Sequence, residues 1–148
     1  MRFHLVDRIE TVEPWTRIEA VKLTSSSETY WATDDHGRYM PVPIQLEVLA
    51  QSAAWLVYLS TERRHRAVLL SVGAVRARSR VGPGDDLLAT AEIGSAGDTI
   101  VVSGRLSVGG RTALEVEDLM CALIDADLLE DAESVGGREE ILRSGVHS

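Results

Sequence analysis

The sequence predicts an α+β domain in which an antiparallel sheet wraps around one long central helix. Three observations carry this expectation. Residues 42–59 form a glycine-free, largely apolar run of good helix formers. Upstream, Arg17 to Leu23 alternates polar and apolar residues with period two, the mark of a half-buried strand. Downstream, further strand-like segments are separated by turn signals, among them Gly82-Pro83-Gly84-Asp85 and the two-residue hairpin turn Gly109-Gly110. Strand, buried helix and then an antiparallel meander is a layered arrangement with the helix on one face of the sheet.

Taken in order, the chain opens with a short apolar segment at residues 3–6 and a strand-like stretch at 9–12. Glu13-Pro14-Trp15 reads as a turn, because proline fixes its own φ and restricts its predecessor. Residues 24–28 and 34–38 read as polar loops on either side of the aromatic pair Tyr30-Trp31. In the helix, Pro43 suits the first turn, where its missing N–H leaves nothing unsatisfied. Apolar residues cover most of the helix surface, which predicts burial on nearly all sides. Leu46, Leu49, Ala50, Ala53, Ala54 and Val57 form one stripe, small enough in part for close approach to a sheet. Glu47 and Gln51 stand one turn apart on one face. Strands follow at 67–74, 75–81, 87–93, 99–108 and 112–124, the second of them placing Arg76, Arg78 and Arg80 on one face. The expected organisation is one domain over residues 1–126 and an acidic tail over 127–148.

Composition narrows the function classes. The chain has 148 residues, fifteen basic against twenty-three acidic, for a net charge of −8. From Asp125 onward there are seven acids and two arginines, so the preceding 124 residues carry only −3. An acidic body does not favour nucleic acid, whose phosphates demand a basic field. No uninterrupted apolar run reaches the roughly 18 residues of a membrane span, and the start has no secretory apolar region. A single cysteine, Cys121, excludes an internal disulfide and a cysteine-based zinc site, and its apolar surroundings suit a buried small hydrophobe. No Gly-rich phosphate loop is present, so no cofactor is expected. Asp34, Asp35 and His36 are adjacent in one loop, a poor spacing for metal ligands, and no metal is expected. The expected location is the cytoplasm.

Several motifs resemble β-hydroxyacyl-ACP dehydratases of the FabZ type, which have the hot-dog fold. Leu5-Val6-Asp7-Arg8 matches the family's L-V-D-R opening. Residues 17–22 are similar to its next strand. Met40-Pro41-Val42-Pro43-Ile44-Gln45-Leu46-Glu47-Val48-Leu49-Ala50-Gln51 is similar to M-P-G-V-L-x-x-E-A-x-A-Q, which opens the central helix. Arg76 to Asp85 resembles an arginine-bearing strand ending in V-x-P-G-D. The likeness spans residues 1 to about 126. It implies acyl-ACP or acyl-CoA chemistry in fatty-acid or polyketide-type biosynthesis, with phosphopantetheine brought by the substrate. It also implies a dimer joined through edge strands, either a homodimer or a heterodimer, or a higher oligomer.

Within this resemblance Glu47 falls on the family's catalytic acid, and Met40, Pro41, Val42, Gln51 and Trp31 fall along the substrate path. The histidine motif E-P-F-F-x-G-H-F-P does not carry over. Counting forward from Glu28 puts Asp34 where the histidine belongs, and counting back from Met40 puts Thr33 there. The family glycine whose amide faces the thioester carbonyl is Val42, followed by Pro43. Dehydration needs a base for the C2 proton, an acid for the departing hydroxyl and donors for the enolate oxygen. Neither Thr33 nor Asp34 replaces an imidazole. Because the histidine and carboxylate of one site come from different subunits in this family, the resemblance implies that Glu47 completes a site with a histidine-bearing paralogue. Two other readings stay open. His36 is a relocated base in a self-sufficient dehydratase or a thioesterase, or else an exposed loop residue. Alternatively the chain is a non-catalytic acyl-ACP-binding or scaffold protein. Arg63, Arg64, Arg66, Arg76, Arg78 and Arg80 are either a solvated edge or a landing patch for an acidic carrier or its phosphate.

Overall fold

The structure, a computed structural model, describes residues 5–126; the tail expected at 127–148 lies outside the described residues. Its elements are β1 (Arg8–Glu13), β2 (Arg17–Leu23), β3 (Ala32–Asp34), β4 (Gly37–Tyr39), α1 (Val42–Ser60), β5 (His65–Ala77), β6 (Asp86–Ala96), β7 (Thr99–Val108) and β8 (Arg111–Asp125). Six strands form one antiparallel sheet in the order β1-β2-β6-β7-β8-β5, while β3 and β4 pair separately. The connection through α1 therefore carries the chain from one side of the sheet to its far edge.

Local chemistry explains the joints. Val108 pairs with Arg111, and Gly109 and Gly110 both have positive φ (55° and 84°), as a two-residue hairpin matching the strand twist requires. In β8, Glu117 and Asp118 stand opposite the single residue Ser103, a bulge that bends the strand. A similar register shift between Ile93 and Ser95 lets β6 run through Gly94, where the sequence predicts a loop. The loop expected at 34–38 is instead the tip of the β3–β4 hairpin, Asp34 pairing with Gly37. The strand expected to continue to residue 81 ends at Ala77. There the chain leaves the ladder, and the N–H groups of Arg78 and Ser79 both turn to the carbonyl of Ala113. Arg76, Arg78 and Arg80 accordingly do not share one strand face.

Helix α1 lies against the sheet through Val48, Leu49, Ala53, Leu56 and Val57, which join Ile18, Leu87, Ile100, Leu106 and Leu114 in the core. Gly104 sets how closely the two approach. A Cβ there would lie 2.8 Å from the carbonyl oxygen of Thr90 and 3.0 Å from Cδ2 of Leu49. The far end of the helix is tied down as well, because the Ser60 hydroxyl accepts the N–H of Trp15 at 2.8 Å.

Burial on nearly all sides does not hold for α1 in the single chain: Val42, Pro43 and Glu47 are exposed, and Leu46, Ala50 and Ala54 only half-buried. One sheet layer reaches one side of a helix, so the other apolar side is left open. By length and composition α1 could also cross a membrane, although the sequence has no uninterrupted apolar run of that length; half of it is buried inside its own chain.

Gly104→Ala is expected to destabilise the fold by about 1–3 kcal/mol through this overpacking, lowering the thermal midpoint. Gly97→Ala, with no atom within 4 Å of the added carbon, should change it by no more than about 0.5 kcal/mol.

Candidate active site

The start of α1 is fixed by hydrogen bonds on both sides. The N–H of Met40 donates to Val81 at 2.8 Å, which anchors the chain just before the helix to the segment after β5. The side-chain amide of Gln45 donates to the Met40 carbonyl at 2.9 Å, closing the corner from inside. Pro41 is extended, and its carbonyl accepts from Ile44 and Gln45, so the helix begins without a side-chain cap. Met40 is fully buried, Pro41 half-buried, and Val42 is 37% exposed at the first helical position. An N–H at that position has no acceptor within its own helix and lies at the positive end of the helix dipole.

Glu47 lies one turn further on, exposed on the open face of α1. The Gln51 amide nitrogen donates to its Oε1 at 3.3 Å, while the Gln51 oxygen accepts the N–H of Leu5 at 2.8 Å. Gln51 thereby orients the carboxylate and is itself held by the first described residue. The pairing of Glu47 with Gln51 is the one the helical spacing predicts.

The β3–β4 hairpin holds a second constellation, which the sequence alone does not reveal. Arg80 donates twice to Asp34, at 2.8 Å to Oδ2 and 2.7 Å to Oδ1, and again to the carbonyl of Gly37 at 2.8 Å. Its guanidinium also lies 4.7 Å from the centre of the Tyr39 ring. The backbone N–H of His36 adds a bond to Asp34 at 2.8 Å. The Arg80 hydrogen bonds, with the His36 amide second, lower the Asp34 pKa to about 2, and the same contact raises that of Arg80. Asp34 is thus a fixed carboxylate, clamped in a planar bidentate pair of the kind arginine makes best. The one available signal was the Asp34-Asp35-His36-Gly37 turn; nothing in the sequence names an arginine 46 residues away as its partner.

The other predicted site residues fall into separate places. The His36 side chain is exposed at the hairpin tip and, among the described residues, shares no hydrogen bond with Glu47. Thr33, also in β3, is exposed. Trp31 is half-buried, donates to the Ser25 carbonyl at 2.8 Å, and lies 5.0 Å from Tyr30 and 5.9 Å from the Arg38 guanidinium. Arg63, Arg64 and Arg66 occupy the turn after α1 and the first residues of β5. Arg64 pairs with Glu62, Arg76 with Glu117 and Arg78 with Glu115. Cys121 is buried, and desolvation raises its thiol pKa, the setting of an inert hydrophobe rather than a nucleophile.

An antiparallel sheet of this order around one helix, with a carboxylate at the helix's open face, defines a protein of the hot-dog fold. Solved structures agree. A Streptococcus mutans protein crystallised with acetyl-CoA superposes with a TM-score of 0.66 at 14% identity, over 84% of this chain and 94% of that one. The dehydratase heterocomplex ApeI:P of Xenorhabdus doucetiae gives 0.65 at 14% identity, over 91% and 89%. No family model matches the chain. Curated relatives do. The 3-hydroxyacyl-[acyl-carrier-protein] dehydratase FabZ of Verminephrobacter eiseniae is 33% identical over 127 residues, 82% of this chain and 84% of the relative. That of Geobacillus thermodenitrificans is 34% identical over 130 residues, 83% and 86%. The chain belongs to the FabZ-type 3-hydroxyacyl-ACP dehydratase family.

Carboxyl carbon NMR should place Asp34 at about 2 in the folded protein and return it toward 3.8 in Arg80→Gln. A pKa lowered on folding stabilises above the unfolded value, and that stabilisation is lost as pH falls through the folded one. The hairpin clasp should therefore be intact at pH 4 and above and weaken toward pH 2.

Proposed function

We propose that this chain supplies the acid of a 3-hydroxyacyl thioester dehydratase site whose base comes from a second, histidine-bearing chain of the same family. The observation that carries this reading is the contrast between two carboxylates. Glu47 is open and oriented by a neutral amide, whereas Asp34, at the position counted forward to the family histidine, is closed off by Arg80.

The chemistry requires both an acid and a base. A base removes the C2 proton, the electron pair forms the C2–C3 double bond, and the hydroxyl leaves C3 as water with a proton from the acid. We assign the last task to Glu47, and Gln51 can follow its change of protonation because an amide both donates and accepts. Val42 offers an N–H at the helix start for the enolate-like oxygen, in the role the family gives to glycine. Pro43 adds no donor. For the first task, no histidine among the described residues shares a hydrogen bond with Glu47; a carboxylate with a pKa of about 2, both oxygens bonded to arginine, is a very weak base. Pairing along sheet edges would bring another chain's residues to the open face of α1.

Family membership supports an acyl thioester as the substrate class, its phosphopantetheine arm carried by ACP or CoA. Arg63, Arg64, Arg66, Arg76, Arg78 and Arg80 are the groups we assign to the carrier or its phosphate, with Arg80 already committed to Asp34. A thioesterase reading, with Glu47 positioning water, is supported by solved structures of the fold, one of which is a Streptococcus pneumoniae thioesterase-like protein crystallised with coenzyme A. That likeness extends to the fold alone.

Hydration of a crotonyl-carrier thioester, the reverse reaction, tests the proposal. The isolated chain is expected to show none, and Glu47→Gln and His36→Ala should leave that blank unchanged. Activity in the isolated chain that His36→Ala reduces by roughly 10²-fold or more would overturn the reading and make His36 the base.

A further inference from the structure

We infer that Trp31, Thr33 and Arg38 form a docking face for the adenine nucleotide of coenzyme A, so that the thioester reaches this chain on CoA rather than on a carrier protein. This rests on the reading above that the substrate is an acyl thioester, and it names the carrier.

The face follows from the register of the β3–β4 hairpin. Ala32 pairs with Tyr39, Thr33 with Arg38 and Asp34 with Gly37. Successive side chains of a strand point to opposite sides, and paired residues share a side. Arg80 claims one side, bonding to Asp34 and lying over the Tyr39 ring. Thr33 and Arg38 are left on the other, and both are exposed. Trp31, two residues before Thr33, joins them, with the Arg38 guanidinium 5.9 Å from the centre of its ring. An indole, a hydroxyl and a guanidinium thus share one outward surface.

That surface is set before any ligand arrives. The Trp31 indole N–H donates to the Ser25 carbonyl at 2.8 Å, and its ring lies 5.0 Å from that of Tyr30. Tyr30 in turn lies 5.8 Å from the ammonium of Lys22, which is buried and donates to Glu28 at 3.0 Å. One terminal nitrogen of Arg38 donates to the Ser26 carbonyl at 2.8 Å. A guanidinium carries five N–H donors, so most of the fork stays open to a phosphate, and its plane can stack on a purine ring. Groups already held in place lose little freedom on binding.

Charge separates CoA from a carrier protein. Of the arginines assigned above to the carrier, Arg64, Arg76, Arg78 and Arg80 each face a carboxylate of their own chain. Arg38 differs, since its hydrogen bond and its ring contact are both with neutral groups. A chain of net charge −8 whose arginines are compensated in this way offers a weak basic field to an acidic carrier protein. A nucleotide needs only a local ring and fork. The position fits as well. Arg38 stands four residues before Val42, so their Cα atoms are at most about 14 Å apart. The pantetheine arm, with two amide links between thiol and phosphate, is long enough to cross that gap.

Calorimetric titration of the full chain with CoA, adenosine 3′,5′-bisphosphate and 4′-phosphopantetheine tests this without an activity readout. Wild type is expected to bind CoA and the bisphosphate, and 4′-phosphopantetheine at least about tenfold more weakly than either. Arg38→Gln should weaken CoA binding by roughly ten- to a hundredfold. Arg38→Lys should recover only part of that loss, because an ammonium keeps the charge without the fork or the stacking plane. Arg105→Gln, which removes the same charge from an exposed position on β7, should leave binding unchanged; thermal melts check that each variant is folded. Absence of CoA binding by wild type, or an equal loss in Arg105→Gln, would overturn the inference. So would full recovery in Arg38→Lys. Binding of 4′-phosphopantetheine as tight as that of the bisphosphate would also overturn it, by assigning the face to the phosphate that CoA and a carrier protein share. Should CoA bind as expected while a histidine-bearing chain restores no hydration of crotonyl-CoA, the nucleotide face stands and the dehydratase reading fails. Hydration of a carrier-protein thioester by the mixed chains, with CoA unbound, gives the reverse.

Discussion

The contact between α1 and the sheet governs most of what this chain can do. Gly104 lets Leu49 reach the strands, and that approach fixes the height and rotation of the helix. Once one side is committed to Val48, Leu49, Ala53, Leu56 and Val57, Glu47 must lie on the other, where no described element covers it. The same constraint leaves Val42 and Pro43 exposed beside it. The uncovered side of α1 is therefore apolar with one acidic group on it.

The Asp34–Arg80 pair has the opposite character. It ties together a hairpin of three-residue strands that would be marginal alone. Arg80 reaches it from beyond the end of β5, and its contacts with Gly37 and the Tyr39 ring make the clasp more than one ion pair. The hairpin on which the sequence resemblance would place an imidazole is here braced by a salt bridge. Bracing and proton abstraction are incompatible roles for one carboxylate, because what holds Asp34 also lowers its basicity.

Much of this was legible in residue order. The long apolar run, the Arg17–Leu23 alternation and the Gly109-Gly110 turn each mark an element the structure contains, and their order gives the architecture. The Glu47–Gln51 pair could be read because both lie on one helix at one-turn spacing. What could not be read depends on contacts distant in sequence. Arg80 looks like the third arginine of an alternating strand until the backbone leaves the ladder at Arg78, which only Ala113 reveals. The β3–β4 hairpin is too short to show a period. Helical periodicity measured how apolar α1 is, but not how much of it one chain can cover. That difference separates a buried acid from the exposed one the structure shows.

The most direct test of the central claim is complementation between two half-sites. A histidine-bearing FabZ-family chain from the same organism, with its own catalytic glutamate changed to glutamine, would be mixed with this chain and assayed for hydration of a crotonyl-carrier thioester. Mixing is expected to give activity that neither chain shows alone, retained with His36→Ala and abolished with Glu47→Gln in this chain. Mixing that forms a stable complex without hydration, or hydration that survives Glu47→Gln, would contradict it.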